Sequence, residues 1–567
     1  MIAAVRTLKF AGSIWGGSRR MDAVNELTNR FRVLLLAGLI PGSACSTGPP
    51  PAAEEGPAVV FRGGRILDGT GNPWYRGDVL VVGDRISRVG VIPADEVPAD
   101  AREVDISGLT VMPGFIDPHS HAGPGLATPE LREGEPVIRQ GITTVMVNPD
   151  GGGEVDLVEQ GRRFREGGTG VHVALMIGHG AVRREVLGME DRPPTEEELE
   201  RMAGLVRAGM EAGAFGMTGG LYYAPGSYAE NDEVVRLATE IAPYGAFVSH
   251  IRDESDYNIG LVAAVEEVIE VAETHGIRGV VTHFKALGPP VWGLSREATA
   301  AIDAARARGV EVFADQYPYE ASGTSIVGAL VPRWALAGET MPGMPSPLET
   351  RLANPTERVR LRADMLVALE RRGGAATLLL SRHRADTALE GRYLSDLAEE
   401  WGIEPIDAAL RLLDSGGAGL VSFNMSEEDI AHIMSREWTM GSSDGGLVPP
   451  GEGKPHPRFY GAFPRRIKRY VRERGVLTLA EAVRGMTSLP AAVFRMHDRG
   501  QIAPGRIADL LVVDIEAFGD AATYENPHAL AEGMVHALVG GVFAIEDGEA
   551  TGALAGEVLT PHWLDAE

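Results

Sequence analysis

The sequence predicts an α/β protein: a (β/α)8 TIM barrel, a small β-sandwich domain formed from N- and C-terminal segments, and a lid-like insertion. Apolar strand-like runs alternate with polar loops and amphipathic helical segments through the middle of the chain, which indicates a parallel sheet. Eight such runs occur, the number that closes a barrel. Shorter β-like runs with Gly-rich turns flank them on both sides.

The flanking β-like runs predict one accessory domain that brackets the barrel. Three runs near the beginning and two near the end carry β-branched and aliphatic residues, at 59–62, 78–82, 85–89, 508–514 and 535–539. Gly-Gly and Gly-Asp pairs between the first three supply turns. We therefore expect a sandwich whose first half is 58–110 and whose second half is 496–560.

The predicted barrel domain occupies residues 111–495. Its candidate strands are 115–121, 143–148, 171–177, 214–218, 246–250, 279–283, 311–315 and 439–444. Helical segments at 195–212, 257–275 and 296–308 lie between successive strands, as a barrel requires. A doubly wound sheet fits less well, because no G-x-G-x-x-G follows the first strand.

The strand spacing breaks once, between Tyr317 and Thr439. This interval contains a Met/Pro-rich segment at 340–345, and we predict an insertion at about 320–376. An insertion at this place in a barrel would act as a lid that excludes water from the reacting centre.

Residues 1–57 are predicted to be a leader and linker outside the fold. Arg30 and Arg32 precede the apolar run 33–40, and small residues then lead to Cys45. This pattern is typical of a secretory signal with a lipoprotein-type cysteine. We expect an exported protein attached to the membrane through lipidated Cys45; the alternative is a cytoplasmic protein with an unstructured leader.

Composition limits the kinds of partner and metal site. The formal net charge of −26 and pI near 5.0 argue against nucleic acid and anionic lipid, because both repel a negative surface. Cys45 is the only cysteine, which excludes a multi-cysteine metal site. The expected partner is a small molecule, any metal must be held by His and carboxylates, and the oligomeric state is not predicted.

Six residues carry the chemistry. His119 and His121 end the first barrel strand, and residues two apart on a strand project to the same face. Imidazoles so placed suit Zn²⁺ or a related metal. Because catalytic groups of a barrel gather at the carboxyl ends of its strands, we expect four more ligands beside them: Asp150, His250, His283 and Asp444.

The chain resembles the amidohydrolase superfamily and, within it, the N-acyl-D-amino-acid deacylases or D-aminoacylases. The resemblance runs from about Val59 to about Ala550 through the segments 113–117, 140–145, 249–254, 282–285, 316–319, 441–445 and 456–458. It implies one or two divalent ions, expected to be Zn²⁺. It also implies that His119, His121 and Asp444 line one metal position and that His250 and His283 line the other.

One residue departs from this family. Many of these deacylases have a cysteine after the second strand, where this chain has Asp150. A carboxylate can bridge two cations through its two oxygens, but it makes the site harder and richer in oxygen. Related cyclic amidases use a carboxylated lysine instead, and the fourth strand contains no lysine, which argues against a hydantoinase or dihydroorotase.

The resemblance implies hydrolysis of N-acyl-D-amino acids to a carboxylate and a D-amino acid. A metal-activated water would attack, with Asp444 as general base and then acid. It also implies substrate contacts from Lys285, Arg458, Tyr223 and Tyr317. The alternatives are another linear amide, such as a dipeptide with a D-residue, a cyclic amide, a nucleobase amine, or a silent binding protein.

Overall fold

A computed structural model describes residues 56–339 and 343–564. Residues 1–55 of the predicted leader, which include Cys45, and part of the Met/Pro-rich segment lie outside the described residues.

The predicted (β/α)8 barrel is confirmed. Its strands run parallel and are, in order, Phe115–Asp117 with Ser120–His121, Ile142–Val147, His172–Leu175 with Ile177–Gly178, Gly216–Gly220, Ala246–His250, Arg278–Val281, Val312–Gln316, and Thr439–Gly441 with Gly445–Gly446. The eighth strand closes the ring on the first, because Gly445 pairs with Ser120 and the Asp444 amide donates to the His119 carbonyl at 3.0 Å. The first and eighth strands, which both carry predicted metal ligands, are therefore neighbours in the ring.

Helices follow each barrel strand: Gly123–Leu126, Glu135–Ile138, Leu157–Gly167, His179–Leu187, Glu196–Glu211, Asn231–Ala238, Leu261–His275, Ser295–Ala307, Glu427–Met434, Arg458–Arg465, Leu479–Met486 and Ser488–Val493, with a π-helix at Arg466–Glu473. Local sequence sets their ends. Thr195 and Glu198 form a reciprocal capping box, and Gly276 stops its helix in the left-handed conformation. None of the described helices has both the length and the apolar content needed to cross a membrane.

The accessory domain is one nine-stranded sheet built from both flanks of the barrel. Its strands are Ala58–Ile66, Tyr75–Val82, Arg85–Gly90, Arg102–Asp105, Thr110–Pro113, Leu510–Val513, Met534–Val539, Val542–Glu546 and Glu549–Ala550. Phe61 and Phe543 are four strands apart in sheet order, a separation of roughly 19 Å in a flat sheet, yet their rings lie 6.2 Å apart. The sheet therefore curls until its two halves face each other, which gives the predicted sandwich its core.

A buried carboxylate joins this sheet to the barrel. Asp509 accepts hydrogen bonds from His172 at 3.0 Å, Arg499 at 3.0 Å and the Gly540 amide at 2.9 Å. His172 belongs to the third barrel strand, and its other ring nitrogen accepts from the Glu557 amide. Burial raises the pKa of Asp509, but His172 and Arg499 outweigh it and lower that pKa to about 2.

The insertion is a small α/β unit. Its three antiparallel strands are Ala321–Ser325, Leu378–Arg382 and Gly419–Phe423, and its helices are Ile326–Leu330, Pro347–Ala353, Pro355–Arg371, Leu394–Trp401 and Pro405–Asp414. These elements enclose their own apolar core. The insertion extends to Phe423 rather than ending near 376, because its central strand, Gly419–Phe423, pairs with both others and comes last in sequence.

Candidate active site

The six predicted ligands meet at the carboxyl end of the barrel. They come from the ends of five strands, the first, second, fifth, sixth and eighth. Among the described residues, three overlapping groups have the geometry to hold a metal ion: His119, His121 and Asp150; His119, His283 and Asp444; and Asp150, His250 and His283. Asp150 belongs to two of these groups and therefore lies between the imidazoles of both sides.

The distances fit a tetrahedral cation. Two ligands that each lie ~2.1 Å from a tetrahedral ion are ~3.4 Å apart. Asp150 Oδ1 lies 3.4 Å from His119 Nε2, 3.4 Å from His250 Nδ1 and 3.3 Å from His283 Nε2. On the other side, His121 Nε2 lies 3.3 Å from Asp150 Oδ2 and 3.2 Å from Asp444 Oδ1. The two oxygens of Asp150 thus face different sets of ligands.

Two of the imidazoles, those of His119 and His250, are in the state that binds a metal. His119 Nε2 and both ring nitrogens of His250 are buried and have no hydrogen-bond partner in the described part of the chain. Burying polar atoms without partners is costly, so these nitrogens point to a cation. Burial also lowers the pKa of His119, to about 3, and that of His250, which favours the neutral imidazole that metals bind.

Asp150 is held in an unusual backbone conformation. Asn148 and Asp150 have φ of 65° and 55°, in the left-handed region that Asn, Asp and His tolerate better than most residues. Thr218 of the fourth strand donates to the Asn148 carbonyl at 2.7 Å. A Cβ on Gly220 would lie 1.9 Å from the Asp150 carbonyl oxygen. Gly220 of the fourth strand therefore leaves room for the loop that carries Asp150. This strand contains no lysine.

A second layer of polar groups orients the ligands. Thr282 Oγ1 lies 2.6 Å from His119 Nδ1 and donates to Asp315 at 2.6 Å. The other oxygen of Asp315 accepts from the His283 amide at 2.8 Å. Outer partners of this kind fix the orientation and tautomer of a ligating imidazole. Sequence reasoning missed both residues, although Asp315 ends the predicted seventh strand.

Asp444 is ionised and paired with Arg458. Its Oδ2 lies 2.7 Å from Arg458 Nη1, and its backbone φ is 46°. Burial raises the pKa of Asp444, but Arg458 and His121 outweigh it and hold that pKa well below its usual value. The carboxylate is therefore available to accept a proton at neutral pH. Arg458 Nε remains without a hydrogen-bond partner among the described residues.

Lys285 faces the cleft but is committed to other groups. It donates to Glu254 and to the His283 carbonyl at 2.8 Å, and its Nζ lies 2.8 Å from His283 Nδ1. Burial raises the pKa of Glu254, while Lys285 and the nearby imidazoles lower it further than burial raises it. Glu254 was missed in the sequence; its position four residues after His250 was the signal.

Tyr223 and Tyr317 line the same cleft, a cavity of about 470 Å³. The Tyr223 ring packs edge-on against His250 at 4.7 Å, and its hydroxyl lies 3.4 Å from Thr324. Tyr317 is buried and lies under Arg458, whose guanidinium is 4.7 Å from the ring centroid. Arg372 of the insertion also lines the cleft. No sequence pattern marked Arg372, which lies in a segment without an active-site motif.

The chain is similar to known amide hydrolases over most of its length. The profile of the Amidohydrolase family matches residues 102–545. D-aminoacylase from Alcaligenes xylosoxydans xylosoxydans is 32% identical over 527 residues, which covers 88% of this chain and 97% of that protein. N-acyl-D-glutamate deacylase from the same organism is 34% identical over 512 residues, which covers 85% of this chain and 92% of that protein.

A solved structure supports the same comparison. The crystal structure of N-acyl-D-glutamate deacylase from Bordetella bronchiseptica contains zinc and a phosphonate inhibitor that mimics the tetrahedral intermediate of the reaction. It is 32% identical, covers 89% of this chain and all of that chain, and superimposes with a TM-score of 0.75. Zinc in that relative agrees with the donor set of this site.

Proposed function

Since this chain belongs to the amidohydrolase family, we propose that it hydrolyses the amide bond of N-acyl-D-amino acids, releasing a carboxylate and a D-amino acid. One observation carries the proposal: four imidazoles and two carboxylates from five strands converge, and each imidazole has a ring nitrogen 3.2 to 3.6 Å from an oxygen of Asp150 or Asp444. The D configuration is taken from the relatives that share this architecture.

The proposed metal positions share Asp150. His119, His121 and Asp444 would hold one ion, His250 and His283 would hold the other, and Asp150 would be a ligand to both. A bound divalent cation lowers the pKa of water towards about 7 and polarises the amide carbonyl. An aspartate in place of cysteine adds oxygen to the ligand set, which suits zinc and also harder ions such as Mn²⁺.

Asp444 moves the proton. Its ionised carboxylate takes a proton from the attacking water and then delivers it to the amide nitrogen, so that the amine leaves in neutral form. The ion pair with Arg458 keeps the carboxylate charged before reaction. Thr282 and Asp315 keep the imidazole of His119 in place through the cycle.

Substrate binding is assigned to the wall of the cleft beside Asp444. Arg458 retains an N–H without a partner at Nε, and we assign it to the α-carboxylate. Tyr317 supports the guanidinium from below, and Tyr223 covers the side next to His250. Lys285 borders the same space and holds Glu254 and His283 in position.

The test pairs metal analysis with a substrate panel. Protein stripped with a chelator and reloaded with Zn²⁺ or Mn²⁺ is assayed on N-acetyl-D- and N-acetyl-L-amino acids, a D-residue dipeptide and a hydantoin. We expect metal-dependent turnover of the N-acetyl-D compounds. Preferential turnover of the dipeptide or the hydantoin would replace this assignment with a different amide class. Absence of metal-dependent turnover on every compound would reject it.

We also propose that residues 1–57 direct export and that Cys45 is lipidated, on the basis of the sequence pattern alone. Expression of the full chain in a bacterium with fractionation of its membranes tests this. We expect the protein in the membrane fraction with a diacylated N-terminal cysteine by mass spectrometry, and release of a Cys45→Ala variant. Equal solubility of both proteins contradicts it.

A further inference from the structure

The loop that carries Asp150 adopts a backbone conformation that its own sequence disfavours. Asn148 stands directly before Pro149, and the residue before a proline favours extended backbone with a φ of about −120°. Asn148 instead has a φ of 65°, and Asp150 has a φ of 55°. Residues other than glycine keep such conformations where the surrounding structure enforces them. Groups outside the loop must therefore hold Asp150 between the imidazoles of the two metal positions.

The side-chain amide of Asn148 forms a reciprocal pair with the amide of Gln160. Asn148 Nδ2 donates to Gln160 Oε1 at 2.8 Å, and Gln160 Nε2 donates to Asn148 Oδ1 at 2.9 Å. Asn148 Nδ2 also donates to the Met176 carbonyl at 2.9 Å. Both side chains are buried, and a buried amide without partners is costly. The pair therefore resists any rotation of Asn148 that would move the loop.

Gln160 is a polar residue on the apolar face of its helix. The helix Leu157–Gly167 turns one face inward, and the buried residues on it are Leu157, Gln160, Gly161 and Phe164. Apolar side chains are expected at such positions, spaced three or four residues apart. A glutamine there is costly unless its amide is hydrogen-bonded. Its pair with Asn148 supplies those bonds and gives a reason for the glutamine at this position.

Other neighbours hold the backbone of the same loop. Thr218 Oγ1 donates to the Asn148 carbonyl at 2.7 Å, and the Ala181 amide donates to the Gly151 carbonyl at 2.8 Å. A Cβ on Gly153 would lie 2.3 Å from Asn148 Cγ, so glycine there leaves room for the Asn148 side chain. These groups act on carbonyls and on space, whereas Gln160 acts on a side chain. Gln160 can therefore be changed without altering a barrel strand or the loop itself.

We propose that Gln160 is a positioning residue for the metal site, because its pair with Asn148 sets the loop so that Asp150 faces both metal positions. The inference rests on the proposed function, of which it concerns the metal ligands. In the described part of the chain, Gln160 does not line the cleft, so it acts through Asn148. The oxygens of Asp150 lie 3.3 to 3.4 Å from imidazole nitrogens of both metal positions. A displaced loop therefore weakens the binding of both ions together.

The test measures metal binding in Gln160→Met, which keeps the length of the side chain and removes both hydrogen bonds. In competition with a chelator, with Zn²⁺ per protein counted by mass spectrometry, we expect the affinity for each bound ion to fall by about 10-fold. Thr169→Val is the matched control. It removes a buried hydrogen bond to the Val171 carbonyl before the third strand begins, at the opposite end of the barrel from the metal ligands, and should leave metal affinity unchanged.

A double variant shows whether Gln160 acts through Asn148. Asn148→Gly removes the partner amide and tolerates a positive φ, and we expect it to weaken metal binding by itself. Because the two residues form one pair, adding Gln160→Met should cause no further loss. Additive losses would assign Gln160 to another route and overturn the proposal.

Three other results would also overturn it: unchanged metal affinity in Gln160→Met, a loss confined to one of two bound ions, or an equal loss in Thr169→Val. If Gln160→Met does not fold, Gln160→Asn, which keeps an amide but is one methylene shorter, decides by the same measurements. Metal binding is measured without substrate. The outcome therefore stands whether or not the protein hydrolyses N-acyl-D-amino acids.

Discussion

The barrel rim and the seam between sheet and barrel both bury ionisable side chains, but they differ in how completely those groups are paired. At the seam, His172, Arg499 and the Gly540 amide all donate to Asp509. At the rim, His119 Nε2 and both ring nitrogens of His250 lack hydrogen-bond partners within the described residues. The polar groups around Asp509 thus satisfy one another's hydrogen bonds, whereas the imidazoles at the rim need a bound ligand to do so.

Backbone strain is also concentrated at the rim. Of the six non-glycine residues with positive φ in the described chain, three are proposed ligands: Asp150, His283 and Asp444. Such conformations cost of order 1 to 3 kcal/mol each in general, and they persist where surrounding structure enforces them. The rim therefore keeps strained backbone that holds its side chains in position, whereas the seam contributes stability.

The largest expected effect is the loss of proton transfer at the rim. Asp444→Asn keeps the shape of the side chain and removes its basicity, so we expect kcat to fall by about 10²- to 10⁴-fold in steady-state assays, with a folded protein by circular dichroism. Asp547→Asn, an exposed aspartate in the sheet domain, is the control and should retain full turnover. Unaltered kcat in Asp444→Asn would remove this residue from its role.

Breaking the seam should affect stability and leave chemistry intact. Asp509→Asn removes the buried counter-charge of Arg499, which keeps only the partly exposed Asp498 at 3.2 Å, and loss of one member of a buried pair costs up to about 3 to 5 kcal/mol. We expect a lower free energy of unfolding in urea denaturation and an unchanged kcat per folded molecule. A large fall in kcat with normal stability would show that the seam and the rim are functionally coupled.

Low pH should remove the stabilisation that ionised Asp509 gives the wild-type protein. The pKa of Asp509 is lowered to about 2 in the folded state, against ~3.9 in an unfolded chain. A group whose pKa is lower in the folded protein than in the unfolded chain stabilises the fold at pH values above its unfolded pKa. Asp509 therefore contributes about 2 to 3 kcal/mol to the free energy of unfolding above pH ~4, and this contribution is lost as the pH falls towards 2. In urea titrations across this pH range, the free energies of unfolding of wild type and Asp509→Asn should converge as the pH falls. A difference that stays constant with pH contradicts the assignment.

The smallest expected effect concerns the hydrogen bond that orients the His119 imidazole at the rim. Thr282→Val removes the hydroxyl that contacts His119 Nδ1, and loss of such a partner lowers metal affinity by about 10- to 100-fold. Competition with a chelator measures this. Thr299→Val removes a similar contact to His432 far from the cleft, and its metal affinity should match wild type. Equal affinities in all three proteins would show that Thr282 does not orient the ligand.

Much of the fold was predictable because local pattern encodes it. The alternation of apolar strands and amphipathic helices predicted the barrel, and the family resemblance stated from sequence motifs is confirmed by the match over residues 102–545. The convergence of His119 and His250 followed from their positions at strand ends, since all strands of a parallel barrel end on one side. The extent of the insertion was not predictable, because its last strand pairs with partners far apart in the chain.

The barrel, the residues at its rim and the aspartate at position 150 could be read from the amino-acid pattern, because strand periodicity and position fix which side chains face the mouth. How these side chains share their charges depends on the folded protein. It showed Lys285 bound to Glu254 and Arg372 at the cleft without an acid. Ion pairs form between groups that folding brings together from distant segments, and no local pattern specifies which cation receives which anion.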